Sequence, residues 1–212
     1  MKYTILAATG QIGRLSAQYI LDHTDADVTL FGHQATSRLS DFASDRVQLV
    51  DGDLTNVDDV RGAVHGADGV FVAFVVTPDI AQVLVDALDA EKVDRLVVMS
   101  VPDLYQEVSG PFQEWYRANT GLTWQTPLVK AAEIIEASDL DYVILRTTWL
   151  YNDASKLAVD VSEKGQPFKD AQISREAVAK FAADLLTGDQ DYHHANLGIG
   201  EPGTEWAKPS FY

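Results

Sequence analysis

The segment Tyr3-Thr4-Ile5-Leu6-Ala7-Ala8-Thr9-Gly10-Gln11-Ile12-Gly13-Arg14 decides the fold of this 212-residue chain. Its apolar opening reads as a buried strand and its two glycines as a tight turn. The Ile12, Leu15, Tyr19 and Ile20 stripe reads as a helix from about 11 to 22. A strand that turns through glycines into a helix leaves backbone N–H groups free at the helix N-terminus, where a pyrophosphate can accept their hydrogen bonds. The spacing is Ala7-x-x-Gly10-x-x-Gly13, or equally Ala8-x-Gly10-x-x-Gly13, so alanine stands where a dinucleotide cradle has its first glycine. An alanine methyl there calls for a negative φ and slightly more room, without blocking the later N–H groups. The competing reading is a ligand-free turn. The position of the pair, directly between first strand and first helix, favours the cradle.

Outward from this turn the chain alternates strand and helix. Val28-Thr29-Leu30-Phe31 is a second strand ending at Gly32-His33, and a short helix is expected within 36–43. Val47-Gln48-Leu49-Val50 is a third strand that runs into Asp51-Gly52-Asp53-Leu54. Thr55 or Asn56 then caps a helix whose first turn carries Asp58 and Asp59. Gly69 to Phe74 forms a fourth, wholly apolar strand. Thr77-Pro78-Asp79 starts a helix with a capping hydroxyl, and Ile80, Val83, Leu84, Ala87 and Leu88 line one face of it. Leu96 to Met99 is a fifth strand with Ser100 at its end. A helix from about 127 to 138, a strand at Tyr142–Leu145, a helix capped by Ser174 and a final strand at His194–Leu197 follow. Several strands are apolar on both faces. That pattern predicts an α/β, Rossmann-type, doubly wound parallel sheet with helices on both faces and a small substrate-side region late in the chain. Residues 1–212 read as one domain without repeats or linkers. The stretches 101–124 and 148–173 read as irregular, aromatic-rich loops after strand ends, the place of substrate walls in such sheets.

Composition narrows the function classes. A net charge of -16 disfavours a nucleic-acid partner, because phosphate backbones need basic surface. With no cysteine there is neither a disulfide framework nor a thiolate nucleophile or metal ligand. No stretch approaches the roughly 20 apolar residues of a membrane span, and a cytoplasmic location is expected. His193-His194 lacks a carboxylate at metal-site spacing, and neither a P-loop nor a Gly-x-Ser-x-Gly elbow is present.

The end of the second strand selects the cofactor in this fold. An acid there would bind the ribose hydroxyls of NAD, and a basic group would take the 2′-phosphate of NADP. The chain offers His33 and, downstream, Arg38, with no acid at that point, which leans toward NADP while leaving NAD open. Arg38 reads equally as a solvated loop residue. Asp53 and Leu54 suit the adenine ring, or Asp53 is a capping acid near Thr55.

Taken together, Ala7–Gly13, Gly52-Asp53-Leu54, Lys130-Ala131-Ala132-Glu133, Leu140–Arg146 and Ile173–Ala179 resemble atypical short-chain dehydrogenases, and among them the NmrA-like NAD(P)-binding group. The resemblance covers about residues 2–187. It implies a bound nicotinamide dinucleotide, and members that are reductases or cofactor sensors. It implies phosphate contacts at Thr9, Gln11 and Ile12 and adenine contacts at Asp53 and Leu54. It also implies cofactor contact along Val72 and Ala73, an active-site serine at Ser100, nicotinamide ribose at Lys130, and the carboxamide near Thr147 and Thr148. The family's catalytic tyrosine falls at Thr126, followed here by Pro127. An aliphatic hydroxyl cannot supply a phenolate, and Thr126 reads instead as a helix cap. Lys130 has an alternative as a surface lysine paired with Glu133. Tyr105, Tyr116 and Tyr151 are the substitutes on offer, as proton donors or as pocket walls.

Three functions follow as expectations: a reductase of a quinone- or flavin-like small acceptor, a non-catalytic redox sensor acting through a protein partner, or an S-adenosylmethionine enzyme on a similar opening.

Overall fold

The computed structural model describes residues 1–212. Its strands are β1 (Lys2–Leu6), β2 (Asp27–Gly32), β3 (Val47–Asp51), β4 (Gly69–Val72), β5 (Arg95–Ser100), β6 (Asp141–Thr147), β7 (Trp149–Tyr151), β8 (Asp160–Glu163), β9 (Gln172–Ser174) and β10 (Ala195–Gly200). Its helices are α1 (Gln11–His23), α2 (Ala35–Arg38), α3 (Val57–Val64), α4 (Pro78–Glu91), α5 (Phe112–Thr120), α6 (Leu128–Glu136) and α7 (Arg175–Thr187). Eight strands form one sheet in the order β3-β2-β1-β4-β5-β6-β10-β8. All neighbours are parallel except the edge strand β8, which runs antiparallel to β10. This is the doubly wound sheet expected, with its switch point between β1 and β4.

The alternation of side chains along each strand explains why both faces are apolar. Ile5, Leu30, Phe71 and Val97 point to one side and pack with Ile20 of α1 and Phe181 of α7. Their neighbours Leu6, Phe31, Val72 and Val98 point to the other side and meet Val60, Leu84 and Ile135 of α3, α4 and α6. Helix starts are fixed locally. Asn56 Oδ1 accepts from the amides of Asp58 and Asp59, and Ser174 Oγ accepts from Ala177 at 2.9 Å. Thr77 differs from expectation, because its hydroxyl donates to the Asp79 carboxylate rather than capping a backbone amide.

The two stretches read as irregular carry structure. Residues 101–124 contain α5 and a 3-10 turn at Thr123–Gln125. Residues 148–173 contain β7 and β8 and lead into β9, which pairs with β7 in a separate two-stranded sheet. These elements are short and partly exposed, too brief for a clear hydrophobic period. The expected helix within 36–43 is broken into α2 and a 3-10 turn at Ser40–Phe42. The last strand begins at Ala195 and reaches Gly200. No helix is long and apolar enough to cross a membrane.

Candidate functional site

The glycine turn sits at the switch point, and each of its small residues has a different physical cause. Ala7 adopts φ 57, in the left-handed region, which corrects the expectation of a negative φ. The turn closes through a hydrogen bond from Gly10 N to Ala7 O at 3.2 Å, and the methyl group bears a strain of about 1–2 kcal/mol that glycine would avoid. Gly13 is required by packing: a Cβ there would lie 2.7 Å from Ala8 Cα. Gly10 is different. Its φ of -79 and ψ of 167 suit any residue, and a Cβ would meet only Ala7 O at 3.6 Å. Nothing inside the protein demands glycine at position 10, and its open side faces the cleft.

The same turn leaves α1 uncapped. The first helical bond is Arg14 N to Gly10 O, and no side chain caps the helix. The N–H groups of Gln11, Ile12 and Gly13 have no partner within the chain, and the positive end of the helix dipole coincides with them. Ile12 and Gly13 are themselves buried, so each can contribute only its backbone amide.

A cleft of about 310 Å³ opens in front of this turn. It brings together eight of the residues singled out in the sequence: Ala7, Thr9, Gly10, His33, Arg38, Asp53, Leu54 and Ala73. Phe31, Gly32, Gly52, Phe74 and Ile80 complete the lining; none is assigned a contact by the sequence, although Gly52 stands within the Gly52-Asp53-Leu54 motif. Gly52 is required by packing, for any Cβ there would collide with the Phe31 ring at 2.2 Å. Phe74 is an apolar ring left 51% exposed just past the end of β4, facing the cleft.

The polar edge of the cleft is tied down from behind. Asp51 accepts from Thr36 N and Thr36 Oγ, both at 2.8 Å, and these bonds hold its carboxyl below the usual range. The acid at the end of β3 is therefore spent on fixing α2. Arg14 donates to the Arg38 carbonyl at 2.9 Å and pairs with Asp41, which steadies the segment carrying Arg38. The Arg38 guanidinium reaches Thr9 O at 3.4 Å. Asp53 Oδ1 accepts from Thr55 N and Oγ, and these bonds, more than the nearby His33, lower its pKa. Its other oxygen lies 3.9 Å from His33 Nε2 across the cleft mouth. Asp53 therefore braces the turn before α3 and lines the cleft, but it does not cap the helix, a place taken by Asn56.

The remaining candidates lie toward the ends of β4, β5 and β6. Val72 is fully buried in the core, so only its backbone can face the cleft. Ser100 is 8% exposed and lies beside Leu128 and Ala131 of α6. The Thr147 hydroxyl donates to the Ser100 carbonyl at 3.4 Å, and the Thr148 hydroxyl donates to the Asp170 carbonyl at 2.9 Å. Lys130 occupies the exposed face of α6 and pairs with Glu133 at 3.3 Å. Thr126 precedes the helix cap, which falls one residue later at Pro127. Its hydroxyl donates to Thr123 O at 2.6 Å and accepts a 3.4 Å bond from Leu128 N.

None of the three substitute tyrosines is set up as a phenolate. Tyr105 donates to Glu136, and burial and that carboxylate push its pKa up. Burial raises Tyr116 to about 12. Tyr151 donates to Glu201 at 2.6 Å and is raised by burial and by that acid.

A doubly wound parallel sheet with an uncapped glycine turn at its switch point and a cleft before it defines a dinucleotide-binding Rossmann protein. The chain belongs to the NAD(P)H-binding family, whose model matches residues 7–189. It is similar to a short-chain dehydrogenase/reductase from Veillonella parvula solved in complex with NADP. The identity is 34% over 99% of each chain, with a TM-score of 0.92. A Rossmann-fold NAD(P)-binding family protein from Shigella flexneri is 27% identical over 100% of this chain and 98% of that one, with a TM-score of 0.79. ChuY, an anaerobilin reductase from Escherichia coli O157:H7, has a TM-score of 0.78 over 99% of this chain and 100% of its own. Its 18% identity carries a likeness of fold alone. No curated protein matches the sequence. The donor set fits a nicotinamide dinucleotide: three unpartnered amides, a glycine kept small toward the cleft, and polar groups that converge from β2 and β3.

Proposed function

We propose that the protein is an NADPH-dependent reductase of a planar, quinone- or flavin-like acceptor. The observation that carries the cofactor half is Gly10, small without an internal reason, beside three unpartnered amides of α1. NADP is favoured over NAD because the β2 edge presents His33 and Arg38 while Asp51 is engaged by Thr36. The Veillonella relative with bound NADP supports the same choice. In this reading Gln11, Ile12 and Gly13 orient the pyrophosphate by their amides, and Asp53 and Leu54 bracket the adenine. Lys130 would leave Glu133 to hold ribose, close to Ser100, Thr147 and Thr148.

When bound, the cofactor supplies the hydride. The residues supply little acid. Thr126 stands at the tyrosine position, and Tyr105, Tyr116 and Tyr151 all hold their protons tightly. An acceptor whose reduced anion is delocalised and takes its proton from water suits such a site. Steady-state oxidation of NADPH tests this with a naphthoquinone, a free flavin and simple ketones. Quinone turnover with weak ketone turnover is expected, and the reverse order overturns the assignment.

A second reading, a cofactor-state sensor acting through a protein partner, draws on one observation: Thr126 stands where the family's catalytic tyrosine falls, its hydroxyl bonded to Thr123 O. Turnover with any acceptor removes the pure sensor. Unequal affinities for NADP+ and NADPH without turnover would favour it.

A further inference from the structure

Outside the cofactor cleft, the densest group of rings on the surface joins the two loops that follow β5 and β6. Trp115 of α5 and Trp149 of β7 meet edge to face, with centroids 4.9 Å apart and planes at 78°. Trp149 stands two residues beyond Thr147, whose hydroxyl reaches Ser100 O, so this corner lies just past the strand ends where an acceptor must approach. Tyr212 sits in the corner. Its ring is 5.1 Å from Trp115 and 5.9 Å from Trp149, with edge-on contacts at 63° and 80°. It remains 59% exposed.

The segment bearing Tyr212 is held lightly. Ser210 donates from N and Oγ to Gln172 Oε1 at 2.9 and 2.8 Å, and Phe211 stacks on Tyr151 at 5.6 Å. Beyond these, Tyr212 N bonds only to Pro209 O at 3.2 Å. A half-exposed ring seated against two tryptophans occupies a place that any planar conjugated ring fits through the same edge and face contacts.

We propose that Trp115 and Trp149 form the seat of an uncharged planar acceptor, a quinone, and that Tyr212 occupies this seat in the resting protein and gives way when the acceptor binds. The proposal rests on the reductase reading and names where its acceptor docks. Gln172 and Ser210 are the hinge, and Tyr212 is a specificity residue that any acceptor must outcompete.

The test uses the full chain with NADP+ bound and 1,4-naphthoquinone as probe. Trp124→Phe and Trp206→Phe leave only Trp115 and Trp149 as fluorophores. The converse variant, Trp115→Phe with Trp149→Phe, controls for collisional quenching. Saturable quenching is expected in the first background and not in the second. Tyr212→Ala should tighten the quinone by about fivefold or more, the scale of two lost ring contacts. Tyr212→Phe, which keeps the ring, should behave as the parent. Equal or weaker quinone affinity in Tyr212→Ala overturns the proposal. NADPH oxidation by quinone with an affinity indifferent to Tyr212 sinks the seat alone. Saturable binding at Trp115 and Trp149 with no NADPH oxidation by any acceptor sinks the reductase reading and leaves the seat.

Discussion

Replacing the two turn glycines one at a time by alanine should separate binding from folding. At Gly10 an added Cβ makes ordinary contact with Ala7 O at 3.6 Å, and the backbone already lies where alanine is comfortable. Gly10→Ala should therefore change the melting temperature little, because alanine restricts the unfolded chain but is the poorer residue at a helix N-cap. The methyl would project toward the phosphates and push them from the amides of α1. Losing one hydrogen bond to a charged group costs about 1.5–3 kcal/mol, which is roughly a tenfold to hundredfold weaker Kd for NADPH. At Gly13 the added Cβ would meet backbone atoms at 2.7, 3.0 and 3.1 Å, none of which can rotate away. Overpacking of that sort costs about 1–3 kcal/mol, or roughly 2–12 °C in Tm for a chain of this length. Calorimetric titration with NADPH and thermal denaturation without it read the two effects separately. The reasoning fails if Gly10→Ala destabilises the apoprotein as much as Gly13→Ala, or if it binds NADPH like the parent.

Three other changes follow from the same geometry. Ala7→Gly relieves a left-handed alanine worth about 1–2 kcal/mol against about 0.4–1 kcal/mol of added unfolded-state entropy, so Tm should rise by up to about 6 °C; a lower Tm would refute the strain. Arg38→Gln should weaken NADPH by about tenfold or more and leave NADH nearly untouched, and equal losses in a side-by-side titration would place Arg38 away from the 2′-phosphate. Asp170 is buried near Asp160 and Glu205, and burial first, then those acids, raises its carboxyl to about 6. Its folded pKa exceeds the unfolded value, so the stability it contributes is full below about pH 4 and is lost as pH rises through about 6, a fall of roughly 2–3 kcal/mol. Asp170→Asn should raise Tm near pH 8 and leave it unchanged near pH 4, as thermal scans across that range would show.

How far the sequence could be read depended on how local each cause is. The parallel strands of the large sheet were legible because strands buried on both faces are continuous apolar runs, as in Gly69 to Val72, whereas the antiparallel edge strand β8, half exposed and polar at both ends, was not. The caps at Asn56 and Ser174 were legible because a capping oxygen needs only amides two or three residues ahead. The small sheet of β7 and β9 was hidden because it joins two three-residue strands across residues 152–171. In the cleft, residues adjoining the glycine turn and the β3 end were found from motif spacing. Ile80 was missed because only the packing of α4 brings it to this wall, and Phe74 because it reads as part of the apolar fourth strand, which ends earlier, at Val72. The sign of φ at Ala7 was misjudged for a related reason: an alanine prefers negative φ alone, and the closing bond to Gly10 overrides that preference.

The far end of the crevice is where tertiary context matters most for chemistry. Thr126 was legible as a lost phenol, but whether another tyrosine replaces it depends on partners far away in sequence. Tyr105 is tied to Glu136 and Asn196, and Tyr151 to Glu201, 50 residues on. Each of these bonds uses the hydroxyl to hold two elements together, and an adjacent carboxylate makes the phenolate harder to form. Tyr116 reaches the same end by burial within the cluster beneath Trp115 and Trp149. The aromatic residues of both loops thus act as walls and braces and leave the acid's role unfilled. On the proposed reductase reading, committing Tyr105, Tyr116 and Tyr151 to structure would favour an acceptor that needs only a hydride delivered and a flat surface to lie against.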